Sequence, residues 1–419
     1  MIGFAGLSHL GLVYGLASAA KGFEVVGFDR DPALCARLSR GDFPVSEPGL
    51  DDLFSAHRAR MNVTTDPADL SKCRVVFYSL DVPTDAANRS DLAPLRQLLE
   101  HTAPHLAPDA TAVILSQVPP GFTRALPRLG GALHYQVETL VFGNAVERAL
   151  RPERCIVGCA DPRAPLPVDY AKWLGAFGCP VLPMRYESAE LAKIAINFFL
   201  VSSVSTTNTL AELCERIGAD WNEIVPALRL DARIGPKAYL APGLGLAGGN
   251  LERDLVTVQA LAAQHGTEAG LVSAWQRNSA YRRDWVLRLV HQRVLSRTPG
   301  ARLALWGLAY KQNTRSTRNS PAVALAEALA PFVKTAFDPQ VKSLGAPVAN
   351  LSFAASALEA CSGADALLVV TPWPEFSKVP PAEVKSALRG NVVVDPFAVL
   401  DSSACATAGL EHHRLGVRN

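Results

Sequence analysis

The chain opens with an apolar run, IGFAGL, that ends in glycine. It continues through LVYGLASAAKG, apolar at helical spacing and closed by a second glycine, and returns to the apolar run EVVGFD. Short unbroken apolar runs bounded by turn residues read as buried strands, and a three-to-four spacing reads as a helix. Residues 1–30 therefore predict strand, turn, helix, strand. Further β-rich runs are RVVFYSL (74–80), TAVILSQ (111–117) and RCIVGCA (154–160), with helical stretches between them. Strands alternating with helices imply a parallel sheet covered by helices on both faces.

From Tyr186 to Arg216 the pattern changes. ESAELAKIAINFFLVSSVSTTNTLAELCER keeps helical periodicity with no proline or glycine. At about 1.5 Å per residue it predicts a helix of roughly 45 Å. Helical sequence continues to about residue 295, broken by the glycine-rich segment 242–249. RTPG (297–300) has the composition of a linker. Beyond it a second α/β pattern begins with ARLALWGLAY (301–310) and recurs in ADALLVVT (364–371) and NVVVDP (391–396). The predicted domains are 1–185, 186–296 and 297–419. That division suits a chain of 419 residues, since single domains usually hold about 100–200.

Composition narrows the function. Apolar residues at 49% and charged residues at 19% fit a compact protein. A formal net charge of +2 gives no large basic field, so a nucleic-acid partner is not expected. The apolar start lacks a preceding basic segment, and no uninterrupted apolar run reaches about 18 residues, so neither a leader nor a membrane span is expected. Eight cysteines are scattered at 35, 73, 155, 159, 179, 214, 361 and 405. Cys155 and Cys159 are close, but no second Cys/His pair accompanies them, so no metal site is expected. Reduced, mostly buried thiols of a cytoplasmic protein are the expectation.

Gly6, Ser8 and Gly11 occupy the positions of a G-x-G-x-x-G turn between strand and helix. The first glycine allows the tight turn and the third lets helix pack on strand. The middle position normally lets backbone approach a pyrophosphate at the helix N-terminus. Ser8 brings a Cβ there, and a hydroxyl that could bond a phosphate oxygen. Asp29 ends the second strand, at the distance where a carboxylate holds ribose hydroxyls, which favours NAD over NADP; the adjacent Arg30 weakens that preference. A strand–helix turn that needs glycine for packing alone would read the same way, but the context of strand, helix and acid favours a dinucleotide site.

At this point the chain resembles the UDP-glucose/GDP-mannose dehydrogenase family. GLSHLGLVYGLASA is similar to its N-terminal fingerprint and GDFPVSEPGLDDL to its next motif. SQVPPGFTR is similar to the segment near the nicotinamide, and VETLVFGNAVERALRPERCIVG to the PEFxxEGxA stretch. ESAELAKIAINFFL matches ExxKxxxNxFL, and DARIGPKAYLAPGLGLAGGNLERDL matches the RIG…GFGGSCxxKD loop. GLAYKQNTRSTRNSPAVAL resembles GxxxKxxTxDxRxSP, and FDP, ADALLVVTPW and VVVD complete the series in family order. The resemblance implies an α/β fold of two Rossmann-like doubly wound domains, joined by a long central helix and a helical domain. It implies a homodimer built on that helix, NAD as cofactor and a nucleotide sugar as substrate.

The family reaction is two successive oxidations of a sugar C6 alcohol, with a cysteine thiolate holding the intermediate. The resemblance places Lys193, Asn197, Asp254 and Glu138 in the catalytic set. Lysine and asparagine stabilise an oxyanion at C6, and the carboxylates position or activate water. Lys193 and Asn197 are four apart and share a helix face. Val82, Pro83 and Gln117 fall on the cofactor side, with threonines of the family replaced by Val82 and Gln117. Arg233, Tyr239, Gly245, Lys311 and Arg318 fall on the substrate side, Arg233 at a position that reaches a neighbouring subunit's sugar in the family. Asn250 stands where the family keeps its cysteine, and an amide cannot form a thiohemiacetal. Ala247 replaces a loop glycine, Arg253 a lysine, Phe142 a glutamate and Ser316 an aspartate; Phe397 stands near the place of an arginine. The expectation is an NAD-dependent oxidoreductase acting at C6 of a UDP-hexose, either stopping at the aldehyde or oxidising the aldehyde hydrate without a covalent intermediate. A non-catalytic nucleotide-sugar-binding protein of the same fold is the alternative.

Overall fold

A computed structural model describes residues 1–418 except Ala86, Ala247 and Gly248, so the exchange at Ala247 lies outside the described residues. The chain divides into two compact units, Met1–Ile196 and Asn197–Asn419.

The first unit is built on eight strands: β1 (Ile2–Ala5), β2 (Val25–Phe28), β3 (Met61–Thr64), β4 (Val75–Tyr78), β5 (Thr111–Ile114), β6 (Ala132–Gln136), β7 (Cys155–Cys159) and β8 (Val181–Arg185). They lie in the order β3-β2-β1-β4-β5-β6-β7-β8. The first six are the parallel 3-2-1-4-5-6 arrangement of a doubly wound sheet. The expected wholly parallel sheet is corrected at β6 and β7, which pair antiparallel through Tyr135 with Gly158 and Gln136 with Val157. The chain between them stays at the carboxyl edge, where the Gly143 and Ala145 N–H groups bond Glu47, so the returning strand starts from that edge.

The predicted runs outlast their ladders. Ser79–Leu80 and Ser116–Gln117 follow β4 and β5 off the sheet into loops. Buried side chains pack against both faces, among them Leu12, Leu16 and Trp173 in one cluster and Leu95, Leu98 and Leu99 in the other. Cys155 meets Cys179 rather than Cys159, with the sulfurs 3.6 Å apart.

The long helix, Tyr186–Ile217, has 32 residues and runs through the cut between the units. Among the described residues it is the one helix long and apolar enough to cross a membrane by length and composition. In the second unit, helices Trp221–Leu230, Asn250–His265 and Gly270–Arg283 follow it. Arg282, fully buried, is 3.1 Å from Glu215, whose carboxylate also accepts the Trp285 indole N–H and the Gly416 N–H. This network ties the end of the long helix to the chain's last residues.

A six-stranded sheet completes the second unit: β9 (Arg302–Trp306), β10 (Val333–Phe337), β11 (Leu351–Phe353), β12 (Ala366–Val369), β13 (Val392–Val394) and β14 (Glu411–His413). Its order, β11-β10-β9-β12-β13-β14, repeats that of the first six strands, and every neighbouring pair is parallel.

Candidate active site

The glycine turn after β1 has the geometry that the spacing predicts. Gly6 is left-handed, at φ 90°. A Cβ on Gly11 would lie 2.0 Å from the Gly6 carbonyl oxygen, so only glycine lets the first helix, His9–Ala20, come this close to the strand end. Ser8 does not turn its hydroxyl outward. It donates to the Ser79 carbonyl at 3.0 Å and accepts the Asp81 N–H at 2.8 Å, clasping the loop after β4 to the loop after β1. In this structure the hydroxyl proton is thus engaged within the protein rather than turned toward a phosphate position.

The Asp29 carboxylate accepts the Leu7 N–H at 2.8 Å on one oxygen and the Asp31 N–H at 3.0 Å on the other. A carboxylate has about four acceptor positions, so each oxygen of this half-buried group retains capacity for a ribose hydroxyl. Arg30 is exposed beside it, Val82 and Gln117 are buried, and Pro83 is exposed.

Two buried glutamates, Glu47 of the GDFPVSEPGLDDL motif and Glu190 of ESAELAKIAINFFL, position this edge. Glu47 lies 3.0 Å from the His9 Nε2 and accepts the Gly143 and Ala145 N–H groups at 2.8 and 3.3 Å. Burial would raise its pKa, but the bonds from His9 and from the two N–H groups hold it below the ordinary glutamate range. The His9 ring stacks on Phe142 with centroids 4.4 Å apart. Glu190, fully buried on the long helix, accepts the Gly121 N–H at 2.6 Å and the Thr123 N–H at 2.9 Å. It thereby anchors the Pro119–Pro120–Gly121 turn, and its own pKa is pushed up by burial. The signal for Glu190 was present in the spacing: 190, 193 and 197 share one helix face.

Lys193 and Glu138 form an ion pair in the first unit. The ammonium is 2.5 Å from Glu138 Oε1 and also donates to the Glu138 carbonyl at 3.3 Å; the other carboxylate oxygen accepts the Leu140 N–H. The two side chains are 12% and 9% exposed, which leaves a narrow access to the charged pair.

Asn197, one helical turn on from Lys193, belongs to the second unit and donates to Asp254 Oδ2 at 2.6 Å. Asp254 is buried, with Arg253 Nε 3.6 Å from its other oxygen. Asn250 is the first residue of its helix, one turn before Asp254, and is exposed.

The segment before Asn250 is fastened from several sides. Gly245, at φ 78°, has no room for a Cβ against the Ser279 carbonyl, and the Leu246 N–H bonds the Ser279 hydroxyl at 2.8 Å. The Tyr239 carbonyl accepts the Thr207 hydroxyl, leaving the Tyr239 side chain 52% exposed. A Cβ on Gly249 would meet Arg318 Nε at 3.3 Å, so Arg318 lies against Gly249, the residue before Asn250. The Lys311 ammonium stands over the Tyr310 ring, 5.6 Å from its centroid. Arg233 is not gathered with these residues: it is exposed and turns back on its own Asp231 at 2.7 Å.

The second sheet carries the same opening device in altered form. Gly307, at φ 96°, follows β9 as Gly6 follows β1, and Asp338 follows β10 as Asp29 follows β2. Asp338 accepts five protein donors: the N–H groups of Leu308, Ala309, Gln340 and Val341, and the Trp373 indole. The helix after Gly307 begins only at Pro321, whereas the helix after Gly6 begins at His9.

Three domains of one family match the chain in order. The NAD binding domain covers residues 1–169, the central domain 187–280 and the UDP binding domain 304–402. The chain belongs to the UDP-glucose/GDP-mannose dehydrogenase family. It is an NAD-dependent dehydrogenase of the nucleotide-sugar type, and its first domain holds the cofactor. This dehydrogenase is 28% identical to UDP-glucose 6-dehydrogenase TuaD of Bacillus subtilis, over 99% of this chain and 93% of that protein. It is also 28% identical to UDP-glucose 6-dehydrogenase of Rhizobium meliloti, over 98% of each. Among solved structures it superposes on a UDP-glucose dehydrogenase from Pyrobaculum islandicum with a TM-score of 0.85, at 25% identity over 96% of this chain and 97% of that one.

Proposed function

We propose that the dehydrogenase oxidises the C6 alcohol of a UDP-hexose once and releases the aldehyde. The reading is carried by Asn250, an exposed amide at the position that a cysteine nucleophile holds in the family, in a chain that retains Lys193 and Glu138 in its first unit and Asn197 and Asp254 in its second. Bound NAD supplies the hydride acceptor. The alcohol loses a hydride from C6 and a proton from O6, giving aldehyde, NADH and one proton. Lys193 stabilises the negative charge that gathers on O6 as the proton leaves, and Asn197 adds an amide donor. Glu138, paired with Lys193, keeps the ammonium oriented and offers an acceptor for the proton's relay through water.

A second oxidation needs a nucleophile to hold the aldehyde. The Asn250 amide has no lone pair reactive enough to do so. The burial of Asp254 against Asn197 and Arg253 also argues against its activating water freely. The substrate reading rests on the relatives' UDP-glucose activity and on the DARIGPKAYLAPGLG segment. In the same proposal, residues 1–185 hold NAD, 297–419 hold the nucleotide sugar, and 186–296 carry a homodimer of a cytoplasmic enzyme. Arg233, exposed on its loop, would then serve the partner's sugar.

Incubation with NAD and UDP-glucose, followed by mass spectrometry and NADH counting, tests the reading. One NADH per sugar and a C6 aldehyde or its hydrate are expected. Two NADH per sugar with a sugar–cysteine adduct would overturn it. Asn250→Cys alone is expected to yield little acid, because Phe142 and Gln117 still differ from the family.

A further inference from the structure

The sheet of the first unit ends in two parallel strands, β7 and β8, joined by a crossover through the helix Val168–Gly175. Two cysteines meet at the start of that pair. Cys155 is the first residue of β7 and lies opposite Val181 of β8; Cys179 comes two residues earlier on the incoming chain. The Cys155 N–H bonds the Pro180 carbonyl at 2.9 Å, which holds the two chains side by side, and the sulfurs stand 3.6 Å apart. Their surroundings differ. Cys155 is buried in the apolar cluster that holds Leu12, Leu16 and Trp173, and it lines a small cavity together with Tyr14 and Phe177. Burial, with the neighbouring Cys179 sulfur, pushes its thiol up to about 12. Cys179 is half-buried between exposed Gly178 and Pro180. Among the described residues it is the one cysteine that is not buried.

We propose that Cys155 and Cys179 are a redox modification site, at which a hydroperoxide oxidises the pair to an intrachain disulfide. The roles follow from access. Cys179, as thiolate, attacks one oxygen of hydrogen peroxide; its S–O bond forms, the O–O bond breaks and hydroxide leaves, giving the sulfenic acid. Cys155 then attacks that sulfur. The S–S bond forms, the S–O bond breaks, and the departing hydroxide takes the Cys155 proton as water. Each thiol gives up one electron and one proton, and the peroxide ends as two molecules of water. A buried thiol is a poor first nucleophile, but as the second it needs to reach only the sulfur already in contact with it. The bridge closes the chain between residues 155 and 179 around the helix Val168–Gly175. That helix carries Trp173, whose indole donates to the Ser18 hydroxyl at 2.9 Å and whose ring packs on Phe77 of β4, with centroids 4.5 Å apart. The bridge therefore clasps the segment that packs on both the first helix and the sheet. A cross-link of that kind stabilises mainly by restricting the unfolded chain.

Hydrogen peroxide treatment of the full-length protein, followed by unfolding, alkylation and peptide mapping without reductant, tests the pair. In the wild type the peptides of Cys155 and Cys179 are expected to be joined with loss of two hydrogen atoms and to separate again with dithiothreitol. The other six cysteines are expected to remain open to alkylation. Oxidation is expected to raise the thermal unfolding midpoint of the wild type by at least about 4 °C, and to leave that of Cys179→Ser in place. Cys155→Ala keeps the outer thiol but removes its resolving partner. There Cys179 is expected to persist as sulfenic acid and be captured by dimedone, which the bridged wild type does not take up. The wild-type map and the Cys179→Ser midpoint decide the matter even where Cys155→Ala fails to fold. Cys179 still open to alkylation in the treated wild type, or carried on to sulfinic acid with Cys155 left free, would overturn the pair. So would a bridge from Cys179 to any other cysteine.

Discussion

At the scale of single residues, the side chains that were legible are those whose chemistry and spacing coincide. Lys193 and Asn197 sit four apart on an unbroken helix, and each has a carboxylate within bonding distance, Glu138 and Asp254 respectively. On the proposed mechanism, Lys193 is the residue on which the hydride step most depends. Lys193→Ala is expected to lower the rate of NADH formation by about two to three orders of magnitude, as for loss of one oxyanion donor, with a much smaller change in substrate affinity. A stopped-flow rate within a few-fold of wild type would remove Lys193 from the chemistry. What stayed hidden was the local direction of side chains. Ser8 occupies a glycine position of the fingerprint, yet its hydroxyl faces Ser79 and Asp81 across the sheet edge, a contact between residues 71 and 73 apart in sequence that no motif encodes.

Elements were legible through periodicity and were missed where periodicity fails. The long helix appears in the sequence almost to its observed ends, since nothing in it breaks a helix. Strands β6 (ALHYQ), β8 (VLPMR), β10 (VKTAF) and β14 (EHH) are short and mixed with polar residues, so no apolar run announces them. How elements are pinned together was legible only in part. Glu47 joins the start of the first helix to the turn at 142–145, and it does so as a carboxylate whose folded pKa is depressed. A depressed pKa contributes stability above the unfolded value, about 4.3 for glutamate, and that contribution is lost as pH falls through the folded value. Glu47→Gln is therefore expected to cost about 1–3 kcal/mol at neutral pH, and the gap to wild type should close below about pH 4. Urea unfolding at the two pH values checks it; a gap independent of pH would mean that the charge on Glu47 is not what matters.

For the whole molecule, two doubly wound α/β domains were foreseen, and the two sheets bear that out; the strand order that they share was not read from the sequence. Assembly is where the surface speaks. Phe199, Leu210, Leu213 and Ile217 are 78, 42, 51 and 66% exposed at spacings that line one side of the long helix. An exposed apolar stripe of that length favours burial against a second copy. Sedimentation at micromolar concentration is expected to give a dimer, and Leu213→Glu to shift it toward monomer by about tenfold or more in dissociation constant. A monomeric wild type would remove the dimer, and with it any shared role for Arg233.

The matching sheets invite the thought that the chain carries two dinucleotide sites, and Asp338 argues otherwise. Its five donors fill a group that has about four acceptor positions, so the second sheet has turned its ribose-holding acid into a staple. Among the described residues the second sheet then offers no open acid for a ribose at the place where the first offers Asp29. An oxidation of four electrons could not draw on a spare cofactor waiting in the other half. It would have to pause while NADH departs and fresh NAD enters, with the half-oxidised sugar held meanwhile. On the proposed reading, with Asn250 at the cysteine's position, nothing covalent would hold the sugar during that pause, and the exchange of cofactor would be the moment at which the aldehyde escapes.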